Sequence, residues 1–302
     1  MMPFFPWKQA FNSGTVWFSL WVMLAFGSIA VLAPWVSPYD PFQEHIFQTN
    51  LPPVWVKTPT DPGQAEFLLG TDRFGRDILS RMIYGIRTTC LLALAAVPLA
   101  ALIGTLLGLL SGFAGGTIDL MITRFTDMVQ SLPGIMFLVM VVLIFRILLA
   151  PTWINGLLTL VVGFTAVSWV SLARLVRVDV IRLKSQLFVE AAVALGASPL
   201  RIITRHLLPN VLYLILVWVI NNIPAVILLE AVLGYIGVGV TGATDGSEFT
   251  VVSFGGIFFA SRSVMGRNPL MLVIPTLSIL LISTSYILLA DFLNGISQRE
   301  QA

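Results

Sequence analysis

Charge is scarce in this sequence. Of 302 residues, 17 are Lys or Arg and 15 are Asp or Glu, 11% in all, against the roughly one-quarter charged residues of a soluble domain. There is one cysteine, Cys90, which excludes an internal disulfide and a thiolate metal cluster. At the start of an apolar window it reads as a small packing residue. The two histidines, His45 and His206, are far apart and have no acid or Cys at ligand spacing, so they make no metal site. The only lysines are Lys8, Lys57 and Lys184, none preceded by glycine, and a Walker A phosphate cradle is therefore absent. A net charge of +2 without a basic stripe excludes a nucleic-acid partner. No Ser-His-Asp grouping and no paired intramembrane carboxylates argue for a protease or other membrane enzyme.

What is abundant is apolar side chain, at 57% of the chain. Charge is missing altogether from six windows of 18 or more residues: 9–39, 88–118, 128–145, 147–173, 206–229 and 268–290. A helix crossing roughly 30 Å of hydrocarbon takes about 20 residues. A soluble enzyme, a disulfide scaffold and a disordered regulator are excluded, and the expected fold class is an all-α, multi-pass integral membrane protein with six transmembrane helices.

The first span is expected over 15–34, after an N-terminal segment 1–14. A cleaved secretory signal does not fit, because the apolar stretch is too long and Pro34 would follow any cut at Ala33. The segment 35–87 carries Pro38, Pro41, Pro52, Pro53, Pro59 and Pro62, which excludes a long helix and a central strand and predicts an external loop. Within it, Ile78, Leu79, Met82, Ile83 and Ile86 recur at helical spacing with Arg76, Asp77, Ser80, Arg81 and Arg87 off the stripe. That pattern predicts an amphipathic helix on the membrane surface ahead of span 2. Span 2 carries Ala96, Ala100, Gly104, Gly108 and Gly112 at four-residue spacing, a face of small side chains that another helix can approach closely.

The richest basic cluster lies in the connector 174–208, with Arg174, Arg177, Arg182, Lys184, Arg201 and Arg205. Positive loops stay in the cytoplasm. Six spans with that connector inside place both termini in the cytoplasm, including a tail at 296–302, although basic residues in the expected outer segments, such as Arg73, Arg76, Arg146 and Arg262, nearly balance the inner set. The connector runs from Glu190 through Ala191, Ala192, Leu195, Gly196, Ala197, Ser198, Pro199, Ile203 and His206 to Pro209 and Asn210. It reads as two short helices. The first stops at Gly196, which tolerates the left-handed conformation a helix end needs, and the second starts with Ser198 as N-cap and Pro199 in its first turn. Small residues on an exposed helix (Ala191, Ala192, Ala194, Gly196) fit a partner surface arriving within backbone distance.

This segment resembles the Glu-Ala-Ala loop of ABC importer permeases. Gly70-Thr71-Asp72, Gly75-Arg76-Asp77 and the residues to Arg81 resemble the motif preceding the second span of the C-type permease subunit of dipeptide, oligopeptide and nickel importers. Ala173 to Arg177 and the run Leu229-Glu230-Ala231, Leu233-Gly234, Ile236-Gly237 and Gly239 are similar to the same subfamily, and the matching stretches cover about residues 66–295. The resemblance implies a type I importer permease fold with a core over 88–295 in a bacterial or archaeal cytoplasmic membrane. It also implies the partners: a homologous permease, two cytoplasmic ATPase subunits that bind ATP and Mg, and an extracytoplasmic substrate-binding protein. This chain itself would bind no cofactor and no metal. The residues Glu190 to Pro209 would couple it to the ATPase. Substrate would be a di- or oligopeptide, with nickel or a metallophore as the alternative; a stand-alone secondary transporter, which would need intramembrane ion sites and no docking loop, is the rival. The segment Val240 to Phe254 departs from the family pattern.

Among isolated features, Glu230 at the end of an apolar window is expected to gate or brace the cavity, with substrate contact as the lesser alternative. Arg146 marks the outer end of span 3. Asp127 and Arg124, three residues apart, are expected to pair. Trp35, Trp153 and Trp169 read as interface anchors, and His206 as a surface contact.

Overall fold

The computed structural model of the chain describes residues 14–56, 63–148, 153–239, 251–262, 265–266 and 269–301, and side chains at all of these except 153–155 and 296–301. The expected all-helical membrane architecture is what it shows. The elements are α1 (Gly14–Val36), α2 (Ile78–Ala114), α3 (Gly116–Gln130), α4 (Gly134–Leu148), α5 (Trp153–Lys184), α6 (Leu187–Ala194), α7 (Pro199–Ile202), a π turn (Ile203–Leu207), α8 (Leu208–Tyr235), α9 (Phe254–Ser261) and α10 (Leu270–Gln301). Five helical runs are long and apolar enough to span a membrane, and there are six if α3 and α4, which meet at 90°, count as one broken span. The straight third span expected over 128–145 is thus replaced by a break. Its cause is Pro133, which lacks an N–H and pushes the residue before it out of the helical region. Apart from one bridge between Thr71 and Asp77, the described residues contain no β-structure.

The small-residue face of α2 packs on α5. A Cβ placed on Gly104, Gly108 or Gly112 would sit 2.7, 2.7 or 2.8 Å from the carbonyl oxygens of Trp169, Ala173 and Arg177 in turn. Both helices therefore step by four residues along one line, and absent side chains set how near the two backbones come. Farther along, Ala96 and Ala100 are buried, and the Thr165 hydroxyl donates to the Ala96 carbonyl at 3.4 Å.

Three polar ties fix which helix ends lie together. Lys184 Nζ donates to the Phe113 carbonyl at 2.7 Å, so the last turns of α2 and α5 share one side with the α6–α7 hairpin. The Tyr213 hydroxyl donates to the Leu293 carbonyl, bringing the end of α10 to that same side. At the opposite side, the Tyr39 amide donates to Ser80 Oγ at 3.0 Å, joining the segment after α1 to the start of α2. The outer ends of α1 and α10 accordingly lie on the hairpin side.

Two sequence expectations are corrected here. The separate surface helix before span 2 does not exist: Ile78 to Arg87 is the first part of the continuous 37-residue α2, and its supposed polar residues Ser80 and Arg81 are as buried as Ile78 and Met82. Acceptors in the segment before α2 make that burial possible. Trp169 is not an interface anchor either; it is buried, stacks on Phe125 at 5.8 Å, and donates its indole N–H to the Ala166 carbonyl at 3.0 Å. Trp35 is exposed at the end of α1, and the side chain of Trp153 lies outside the described residues.

Because the Gly108 position is closed by the Ala173 carbonyl and by the Cβ of Val176, neither of which can swing aside, Gly108→Leu should lower stability by about 1–3 kcal/mol or more. Leu106→Ala, at an exposed position of the same helix, should cost little. Thermal unfolding of the purified variants distinguishes the two positions.

Candidate functional site

The connector between α5 and α8 folds as the sequence predicts. In α6, Glu190 lies in the first turn, where a carboxylate favours the positive end of the helix dipole. The helix ends in a Schellman arrangement: the Ala197 amide donates to Ala192 O at 3.0 Å and the Gly196 amide to Val193 O at 2.9 Å. Gly196 takes φ +79°, and a Cβ there would meet nothing within 4 Å, so glycine is required by conformation and not by crowding. Ser198 then caps α7 by accepting from the Arg201 amide at 3.4 Å, and Pro199 follows where no N–H is needed. A π turn carries the chain into α8, with Pro209 in the first turn.

The hairpin has an inner and an outer surface. Val189, Ala192, Ile202 and Leu207 are buried, and Ala197 and Ile203 are half-buried against the core. Outward stand Leu187, Leu195 and Leu200, at 82%, 88% and 70% exposure, beside Ala191, Ala194 and Gly196. Ala192 is therefore not part of the free small-residue surface expected for a partner. His206 is half-buried with its ring 6.3 Å from that of Phe188. Sequence reasoning missed Leu187 and Leu200; the available signal was apolar residues in an otherwise basic connector with no buried partner in the same stripe.

Behind the hairpin, α5 is stapled to α3. Arg177 grips Asp119 with both forks, Nε to Oδ1 at 2.5 Å and Nη2 to Oδ2 at 2.7 Å, and the Ser111 hydroxyl donates to the same carboxylate. Arg174 Nη2 reaches Asp127 Oδ1 at 2.7 Å. The expected Arg124–Asp127 pair is replaced by this one, because a guanidinium from the facing helix can approach the carboxylate that a neighbour on the same helix can only flank.

On the far side, the Gly70–Asp77 motif closes a buried polar knot. Gly70 (φ +81°) and Gly75 (φ +75°) lie so near the backbone of Leu51 and His45 that a Cβ would approach those carbonyl oxygens to 2.2 and 2.1 Å. Thr71 Oγ1 donates to the Gln48 carbonyl and accepts from the Leu51 amide at 2.9 Å. The fully buried Asp72 accepts from the amides of Phe74 and Arg76 at 2.9 and 3.0 Å and from Arg76 Nε at 2.8 Å, and it stands 3.6 Å from Arg81 Nε. Arg81 Nη1 in turn donates to the Pro41 carbonyl at 3.2 Å. Asp77 caps α2, accepting from the Ser80 amide and hydroxyl at 2.8 and 2.6 Å. The motif thus welds the proline-rich segment to the start of α2.

Glu230, on α8, is completely enclosed against α2 and α9. Its carboxylate accepts from the Thr89 hydroxyl at 3.1 Å and from the Gly255 amide at 3.1 Å, the compensation a buried acid requires. Beside it α8 and α9 touch through Gly234 and Gly255, where a Cβ on Gly234 would fall 2.1 Å from Gly255 Cα. Sequence reasoning missed α9 entirely; its signal was Ser253, which caps it by accepting from the Gly256 amide at 3.2 Å. Arg146 Nη2 donates to the Gly239 carbonyl at 2.6 Å. The divergent residues 240–250 lie outside the described residues, as do 1–13, and among the described residues no His, Cys, Asp and Glu group is arranged to hold a metal.

Residues 104–299 match the family of the binding-protein-dependent transport system inner membrane component, and residues 6–53 match the N-terminal TM domain of oligopeptide transport permease C. The chain is 34% identical over 286 residues to the di/tripeptide transport system permease protein DppC of Pseudomonas aeruginosa, covering 94% of this chain and 88% of that protein. It is 33% identical over 269 residues to the dipeptide transport system permease protein DppC of Haemophilus influenzae, covering 89% and 85%. With the glutathione transport system permease protein GsiD of Pectobacterium atrosepticum it shares 31% over 272 residues, 90% and 82% of the two chains.

Removing the Asp72 carboxylate leaves the Arg76 and Arg81 guanidinia facing each other in a buried site. Asp72→Ala should cost about 3–5 kcal/mol, the penalty of breaking a buried ion pair, and should expose residues 37–56 and 63–77 to protease well before the helices unfold. Limited proteolysis followed by mass mapping reads the order of cleavage.

Proposed function

The chain belongs to the family of binding-protein-dependent transport system inner membrane components, and we propose that it is the permease subunit of an ABC importer of short peptides. In this reading it pairs with a homologous permease, receives substrate from an extracytoplasmic binding protein, and is driven by two cytoplasmic ATPase subunits that hold ATP and Mg. It sits in a bacterial or archaeal cytoplasmic membrane with the hairpin and both termini inside, and it hydrolyses nothing itself. Peptide is favoured over nickel because the relatives above carry dipeptide, tripeptide or glutathione in their names.

The observation that carries the coupling role is the outward surface of the hairpin: Leu187, Leu195 and Leu200 present apolar side chains on a segment that joins two spans. Three exposed leucines on a rigid turn are suited to fill pockets on a soluble partner. A push on that turn passes to α5 through the main chain, to α3 through Arg177–Asp119 and Arg174–Asp127, and to α8 through the π turn. Rigid-body rocking of these helices alternates access between the two membrane sides. At the other end Glu230 holds α9 to α8, so the outer closure moves with the helix that the hairpin drives.

Leu195→Glu should leave insertion and abundance unchanged, since the side chain is 88% exposed, and should abolish peptide uptake and uptake-coupled ATP hydrolysis. Gly196→Val, which forces a β-branched residue into a left-handed conformation at about 1–2 kcal/mol, should reduce both activities by distorting the turn. Wild-type uptake of a labelled dipeptide by Leu195→Glu membranes would overturn the assignment of the hairpin.

A further inference from the structure

Between α1, α2, α8 and α10 lies a cavity of about 370 Å³ that the transport reading does not use. Apart from Arg87, Cys90 and Tyr286 its walls are apolar, with Phe26 and Val31 from α1, Leu91 and Leu94 from α2, and Ile227 and Ile282 from α8 and α10. One cation, Arg87, lines it, and no acid does. Arg87 is half-buried, and among the described residues it has no hydrogen bond or ion pair. It is also the last charge on α2 before the charge-free window 88–118, so it stands at the boundary between polar and hydrocarbon levels. An ionised side chain near membrane depth is costly unless something pairs with it.

The order of the lining residues gives the site a direction. From Arg87, α2 descends through Cys90 and Leu91 to Leu94, while α1 descends from Val31 through Ala30 and Gly27 to Met23. A Cβ on Gly27 would meet nothing within 4 Å, so the cleft stays open midway along α1. A cation at the polar level above an apolar cleft running toward the membrane centre matches an anionic amphiphile in both charge and polarity. We propose that this cleft is a binding site for an anionic phospholipid, its phosphate on Arg87 and an acyl chain lying along Leu91, Leu94 and Phe26. The bound lipid would brace α1 against α2, α8 and α10.

The test is native mass spectrometry of the protein, purified with whatever subunits accompany it, from nanodiscs of mixed phosphatidylglycerol and phosphatidylcholine. Wild type should retain phosphatidylglycerol in preference. Arg87→Gln should lower its retention about fivefold, the worth of one basic side chain at an anionic membrane surface, and Arg87→Lys should restore most of it. Gly27→Leu, which fills the cleft and keeps the guanidinium, should also lower retention and serves if Arg87→Gln fails to assemble. A photo-crosslinking residue at Leu94 should yield a lipid adduct. Equal retention of the two lipids, unchanged retention in both Arg87→Gln and Gly27→Leu, complete displacement by inorganic phosphate, or a crosslink from position 94 to another protein subunit would each overturn the proposal.

Discussion

The rest of the molecule hangs from the line along which α2 and α5 touch backbone to backbone. In a bilayer the apolar side chains of one helix gain little by leaving lipid for another helix, so close packing and complementary shape must supply the attraction. Gly104, Gly108 and Gly112 provide it by letting the carbonyls of Trp169, Ala173 and Arg177 come to within a Cβ's width. At one end of this pair sits the hairpin and at the other the buried knot that begins α2. A loose seam would separate the two working ends of the protein.

Polar chemistry is spent at the edges of that apolar frame, and differently on the two sides. On the hairpin side the pairs are half-exposed, so Arg174–Asp127 and Arg177–Asp119 hold geometry more than they add stability. On the far side Asp72, Arg76, Arg81 and Asp77 are buried, and each needs its partners or the region cannot form. The first arrangement suits elements that shift against one another, and the second suits a fixed cap.

Much of this was legible in the sequence. The charge-free windows located the spans, the four-residue repeat from Ala96 to Gly112 announced a seam, and Gly196, Ser198 and Pro199 fixed the turn of the hairpin, because each signal depends on neighbours within a few residues. What escaped depends on contacts between distant segments. Nothing near Arg81 in the chain shows that Pro41 and Asp72 wait to receive it, so the start of α2 looked amphipathic when it is enclosed. Nothing near Asp127 shows that Arg174 will outcompete Arg124. The inward turn of Ala192 follows only once the hairpin is folded back on the core, and the partnership of Glu230 with Gly255 only once α8 and α9 have been brought together. The bend at Pro133 was written in the sequence but hidden by a window counted for charge alone.

The α8 helix is 28 residues long, about 42 Å at 1.5 Å per residue, and it has the hairpin at one tip and the Glu230–Gly255 clasp near the other. On the proposed reading it would act as one lever between the two membrane sides, with Pro224 as the point at which its hydrogen-bond ladder is interrupted. Jamming either tip stalls both. If the chain is driven as proposed, a molecule wedged under α9 would stall the stroke from the end opposite the hairpin.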